Sequence, residues 1–151
     1  EDYTGPDNNM SIIQYANICG DHILLTGDAG RAALVEAAGF APYIGLGLPC
    51  INRIQIPHHG SRHNVSTDIL DQWIGLRLPK LLPSGQEKLL AVVSAAKLDE
   101  HHPRKAVTRA FYHRGAKVLS TESGDKCISR NISRPGWVPA DGLPYPEEQE
   151  E

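Results

Sequence analysis

Residues 55–64, QIPHHGSRHN, place His58, His59 and His63 within six positions, directly after an apolar run. Imidazole gains or loses its charge near neutral pH and is the commonest metal-binding side chain. A histidine pair followed by the permissive Gly60 and the hydroxyl of Ser61 suits metal ligation or acid–base work. The plainer alternative is a polar turn with one buried and one solvated ring. Neighbouring residues leaving a strand point in opposite directions. One of His58 and His59 could then hold a metal while the other faces substrate, and the residues alone leave open which. Gly60 and Ser61 are candidates to contact that substrate. His63 reads as a surface residue. Asp28, in GDAG, has two readings: an N-cap for the next helix, or a carboxylate ligand able to bridge two cations. His101 and His102 precede Pro103. His102 would stand at the mouth of a helix, where free N–H groups favour anions, or else in an exposed loop. His22 and His113 receive no role.

These residues need elements to position them. The isoleucine-rich alternation of 10–18 predicts a strand, CGDH a turn, and 22–26 a second strand of a hairpin. RAALVEAAG (31–39) has helical spacing with Gly39 as its stop, and 40–50 is a loop. INRIQIP (51–57) predicts a strand ending at Pro57. STDILDQWI (66–74) predicts a helix capped by Ser66 or Thr67, and 75–87 a loop. KLLAVVSAA (88–96) reads as a buried strand. A helix follows from Pro103, in its first turn, to Gly115. Residues 116–121 and 126–131 read as a closing pair of strands. Mixed α/β is the class. GDAG, HHGS and HHP each stand where a strand ends and a helix is about to begin, so they point to one rim.

Composition sets few limits. A chain of 151 residues with 40% hydrophobic and 22% charged content suits one soluble domain with a core. No apolar run approaches the roughly 18 residues of a membrane span, and the polar, acidic N-terminus has no signal-peptide pattern. The first residue is Glu1 rather than Met, which suggests a processed or truncated chain. Cys19, Cys50 and Cys127 are widely spaced and odd in number. They exclude a cysteine zinc finger and suggest reduced, mostly buried thiols in a cytoplasmic setting. The net charge of −3 comes from the tail. Residues 133–151 carry four prolines, five acids and one base, and read as loop or disorder. Without them the 15 bases fall to 14 and the 18 acids to 13, leaving residues 1–132 as a near-neutral domain.

The succession SIIQY, HILLTGDAG, INRIQIPHHGSRHN, LLAVVSAA, HHP and GAKVLST resembles the second half of a metallo-β-lactamase-fold hydrolase. It is most similar to the branch of ComEC-type DNA-uptake proteins and phosphorylcholine esterase, over about residues 8–131. The resemblance implies the C-terminal half of an αββα sandwich, with a mixed sheet and flanking helices. It implies zinc, with manganese as the alternative cation, in a two-metal site that activates water. By position, Asp28 matches the bridging aspartate and His59 the last metal ligand. His58 then faces substrate, and His102 matches the histidine that overlooks the cleft. The implied substrates are phosphodiesters, including nucleic acid, or other esters.

The chain departs from the family pattern in one large respect. Nothing in it matches the HxHxDH motif of the family's first half. The remaining ligands are therefore expected from a missing N-terminal half or a second chain. Such a half-fold would expose an apolar face and invite homo-oligomerisation. Two other readings are a regulatory or interaction module that has lost its metal centre, and a metal-free phosphate-binding module using His58, Ser61 and the helix start near Pro103.

Overall fold

The computed structural model describes residues 6–96, 99, 101–122, 124–129 and 132–148. The protein is α/β, with one five-stranded mixed sheet and flanking helices. A short helix α1 (Pro6–Asn9) precedes β1 (Gln14–Ile18) and β2 (Asp21–Leu25). Then come α2 (Arg31–Phe40), β3 (Arg53–Gln55), α3 (Thr67–Ile74), β4 (Leu89–Val93), α4 (Lys105–Tyr112) and β5 (Ala116–Ser120). The strands lie in sequence order. β1 and β2 are antiparallel and the other pairs parallel.

The hairpin is tight because Ile18 pairs with Asp21. Cys19 and Gly20 alone turn the chain, both left-handed with φ 53° and 84°, as a type I′ turn demands. The expectation of buried thiols is corrected here: Cys19 is exposed at this tip, and Cys50 and Cys127 are half-buried.

Three consecutive parallel crossovers advance across the sheet in one direction. Crossovers of the usual right hand then deliver their helices to one face. The core is built accordingly. Leu24, Ile54, Ala91, Val93 and Val118 from the strands join Leu34, Leu70, Trp73, Val107 and Phe111 from α2, α3 and α4. Each such large side chain, fully buried, contributes about 1.5–3 kcal/mol. Arg114, only 3% exposed, ties two of these helices together through Asp71 of α3 and the Ala110 carbonyl of α4.

The opposite face is unlike the first. Strand alternation turns Ile18, Ile23, Leu25, Leu90 and Val92 toward a groove of about 480 Å³ flanked by Ile128 and Ser129. Ile18 is 57% and Leu25 45% exposed. The Arg53–Asp21 ion pair (2.9 Å) crosses the same groove. Among the described residues, no helix is long and apolar enough to cross a membrane.

Several element boundaries differ from the sequence reading. Gly39 does not stop α2. The helix runs to Phe40 and tightens into a 3-10 turn, Ala41–Ile44, which ends at the left-handed Gly45. Pro42 has no N–H with which to extend the α-helical ladder. Pro103 is not in the first turn of α4. Arg104 is the N-cap, with extended backbone (φ −61°, ψ 137°), and its N–H donates to the Gly60 carbonyl (3.1 Å). The strand expected over 126–131 is not formed over 126–129, and residues 130 and 131 lie outside the described set. The outer edge of β5 is used instead by the tail, where Leu143 N–H donates to the Val118 carbonyl (2.8 Å).

That tail has neither helix nor strand over its described residues, yet 141–148 follow α4 closely. Tyr112 donates to the Leu143 carbonyl, and Arg109 to the carbonyls of Pro146 and Glu147. Arg109 also lies over the Tyr145 ring, 4.8 Å from its centre. His113 Nε2 meets the Tyr145 hydroxyl at 3.0 Å. Burial, then the charges of Arg77, Arg109 and Arg114, push the His113 pKa below its ordinary 6.5. The folded chain therefore resists a proton that the unfolded chain accepts. The contribution of His113 to stability is fully present above pH 6.5 and is lost as pH drops from there toward the folded value. Urea midpoints at pH 7.5 and 5.5 should show this loss, and His113→Gln should reduce it. An equal loss in both proteins would assign the acid sensitivity elsewhere.

Candidate functional site

The three clusters meet at the carboxyl ends of β2, β3 and β4. After β2, Thr26 is fully buried and its hydroxyl donates to the Gln55 carbonyl (2.9 Å). The Gln55 side-chain oxygen accepts from the N–H of Thr26 and of Gly27, each at 3.2 Å. These bonds fix where β2 ends and where the chain turns toward Asp28. Asp28 is not the cap of α2. That position belongs to Gly30, which makes no side-chain cap bond. The Asp28 N–H donates to Ser11 Oγ (3.2 Å), and its carbonyl accepts from Asn64 Nδ2 (3.1 Å). Among the described residues its carboxylate accepts no hydrogen bond, so the N-cap reading fails and a carboxylate is left at the rim.

After β3 the chain does not continue as a strand. Residues His58–Gly60 form a 3-10 turn in which His58, His59 and Gly60 all have positive φ (46°, 54° and 85°). Left-handed backbone costs a non-glycine residue roughly 1–2 kcal/mol, and such outliers gather at functional sites. The divergence of the two rings therefore comes from this turn rather than from strand alternation. Their planes are 86° apart and their centres 5.9 Å.

Hydrogen bonds give the two rings different free nitrogens. His59 Nδ1 lies 2.6 Å from the Ser94 carbonyl, which can only accept. Nδ1 therefore carries the proton and Nε2 the lone pair, the arrangement of a metal-binding imidazole anchored from behind. Asn8 Nδ2 donates to His58 Nδ1 (2.8 Å), so the neutral His58 ring carries its proton on Nε2.

The turn is joined to both neighbouring loops. His58 N–H donates to the Gly27 carbonyl (3.1 Å), linking it to GDAG. The Arg104 N–H bond to Gly60 and close packing of Pro103 link it to HHP. His102 Nδ1 donates to Asp99 Oδ2 (3.0 Å). Asp99 Oδ1 accepts the N–H of His101 (2.8 Å) and of His102 (3.0 Å). The His101 N–H first, and the His102 contacts after it, hold the Asp99 carboxyl below its ordinary pKa.

Gly60 and Ser61 are both buried. Gly60 faces Pro103, and Ser61 Oγ accepts from the His63 N–H (3.3 Å). His63 is exposed. His22 lies away from the rim, its Nδ1 on the Tyr15 hydroxyl (2.8 Å). The sequence reading passed over the residues that hold the site: Asn8, Ser11, Gln55, Asn64 and Asp99. Of these, Asn64 is 1% exposed and must be satisfied internally. It donates to the carbonyls of Asp28 and Ala29.

The donor chemistry of Asp28 and His59 suits zinc or manganese. Among the described residues, no three His, Cys, Asp or Glu side chains are grouped to hold a metal ion. Zinc takes three or four protein ligands, so a cation held by Asp28 and His59 would need further donors. Comparison of the chain with protein-family models, curated proteins and solved structures returns no match.

Proposed function

We propose that this chain supplies one half of a metal-dependent hydrolase that acts on phosphodiesters. The observation that carries the reading is the His59 ring, anchored through Nδ1 to Ser94 with Nε2 left as a lone pair, in a turn bonded to the GDAG loop. Asp28 and His59 would hold the cation, zinc or manganese, and another segment or chain would bring the remaining ligands. Its place of docking is the open sheet face, whose groove is lined by Ile23, Leu25, Leu90 and Val92. The bound cation would lower the pKa of water and neutralise developing negative charge.

The chain's own residues do the rest. His58, with its proton on Nε2 and Nδ1 held by Asn8, donates a hydrogen bond to a phosphate oxygen. His102, beside the same turn, moves a proton to or from the substrate. Nucleic acid and small phosphate esters share the phosphodiester chemistry that this arrangement would recognise.

The division of roles predicts a split between two variants. In the assembly that completes the ligand set, His59→Ala should lose the bound cation. His58→Ala should keep it but lose turnover of a phosphodiester such as bis(p-nitrophenyl) phosphate by about 10²-fold or more. Elemental analysis beside the hydrolysis assay reads both effects. Equal metal loss in the two variants would remove the distinction between them.

A further inference from the structure

Asp99 is not a loose surface carboxylate. Its two oxygens have separate tasks. Oδ1 accepts the backbone N–H of His101 (2.8 Å) and of His102 (3.0 Å). These two bonds fix the carboxylate against its own loop. Oδ2 is left for the His102 ring and accepts from Nδ1 at 3.0 Å. Both side chains are partly withdrawn from water, at 30% exposure for His102 and 27% for Asp99. The loop itself is clamped from the far side. Arg104 N–H donates to the Gly60 carbonyl, and Pro103 fills the space where a Gly60 Cβ would stand. The His102 backbone is thus held between Asp99 and the turn that carries His58 and His59.

A carboxylate can only accept, so its partner nitrogen must carry a proton. In the neutral ring that assigns the proton to Nδ1 and the lone pair to Nε2. In the protonated ring the same carboxylate stabilises the charge. A buried carboxylate behind a histidine does the same in the serine-protease triad, where the wrong tautomer costs activity while geometry is kept. We infer that Asp99 is a positioning residue for His102, setting its tautomer so that Nε2 is the proton-accepting atom. The inference rests on the hydrolase reading for its purpose but not for its chemistry, and the two are separable by experiment.

Asp99→Asn is the informative variant. Asparagine keeps an oxygen for the two backbone N–H groups and presents an amide donor to the ring. The His102 lone pair should then move to Nδ1 and the proton to Nε2. Nitrogen-15 NMR of the imidazole rings, with His102→Gln to assign the resonances, reads this directly in the neutral form. Backbone amide spectra that match the wild type outside residues 99–104 show that the loop has kept its fold. Asp99→Ala should leave the ring without a fixed tautomer, and Asp99→Glu should restore part of the wild-type pattern. An unchanged His102 tautomer in Asp99→Asn would overturn the inference. In the hydrolysis assay kcat should fall about 10²-fold in Asp99→Asn, with KM little changed. A kcat equal to wild type while the tautomer switches would also overturn it, because the tautomer would then not matter to the reaction. Lack of hydrolysis by the wild-type chain loaded with zinc or manganese in the assembly that completes its ligand set counts against the hydrolase reading alone, since the tautomer result is read without it.

Discussion

Gly60→Ala is expected to destabilise the protein by about 2–5 kcal/mol, a large share of the 5–15 kcal/mol typical of a domain. Two costs add. The residue has φ +85°, and left-handed backbone costs an alanine roughly 1–2 kcal/mol. The new Cβ would also lie 2.6 Å from Pro103 Cβ, 3.0 Å from Pro103 Cα and 3.3 Å from Val93 Cγ2. Overpacking of this kind costs about 1–3 kcal/mol. Neither neighbour can swing away, since Pro103 is a ring fused to the backbone and Val93 is fully buried in β4. Gly85→Ala provides the control. Gly85 has the same φ of +85° but nothing within 4 Å of its added Cβ. The difference between the two urea denaturation curves isolates the clash. Near-equal losses would mean that the HHG and HHP loops are not packed as described.

Arg114→Ala is expected to cost about 2–4 kcal/mol. Arg114 Nε and one terminal nitrogen both reach Asp71 Oδ1, at 3.0 and 2.5 Å. The guanidinium also donates to the carbonyls of Ala110 and Thr67. One side chain 3% exposed therefore satisfies the start of α3 and the end of α4 together. Breaking a buried ion pair from one side costs about 3–5 kcal/mol, because the partner is stranded. The lower figure applies here, since Asp71 is 24% exposed and water can hydrate its carboxylate. The two backbone acceptors account for much of what remains. Arg114→Lys should recover little of the loss, as a single ammonium cannot reach all of these acceptors in the guanidinium's planar fork. Full recovery by lysine would show that charge alone was being supplied.

The sequence marked the rim better than it marked the details. Leu89–Val93 was legible as a buried strand because its apolar run is continuous, and the alanine-rich run from Arg31 as a helix because of its helical spacing. Ser66 was legible as a cap, and its Oγ accepts from the Ile69 N–H (3.4 Å). The three polar loops were legible as neighbours because parallel strands place their carboxyl ends on one side. What was missed depends on contacts distant in sequence. Asn8 reaches His58 across fifty positions, and Gln55 holds Thr26 from the next strand. The segment after β5 reads as strand by composition, but the edge it would need is bonded at Val118 to Leu143. Asp28 looked like a cap by local spacing. Only the three-dimensional start of α2 at Gly30 removes that role.

The central claim is that Asp28 and His59 are metal ligands. The most direct test follows the imidazole nitrogens by nitrogen-15 NMR while zinc is titrated into the purified chain, with native mass recorded alongside. The account predicts that the His59 Nε2 resonance shifts on zinc addition and that the shift is lost in Asp28→Asn. His59 Nδ1 should stay protonated against Ser94 throughout. A His59 resonance indifferent to zinc, or one that shifts equally in Asp28→Asn, would contradict the claim.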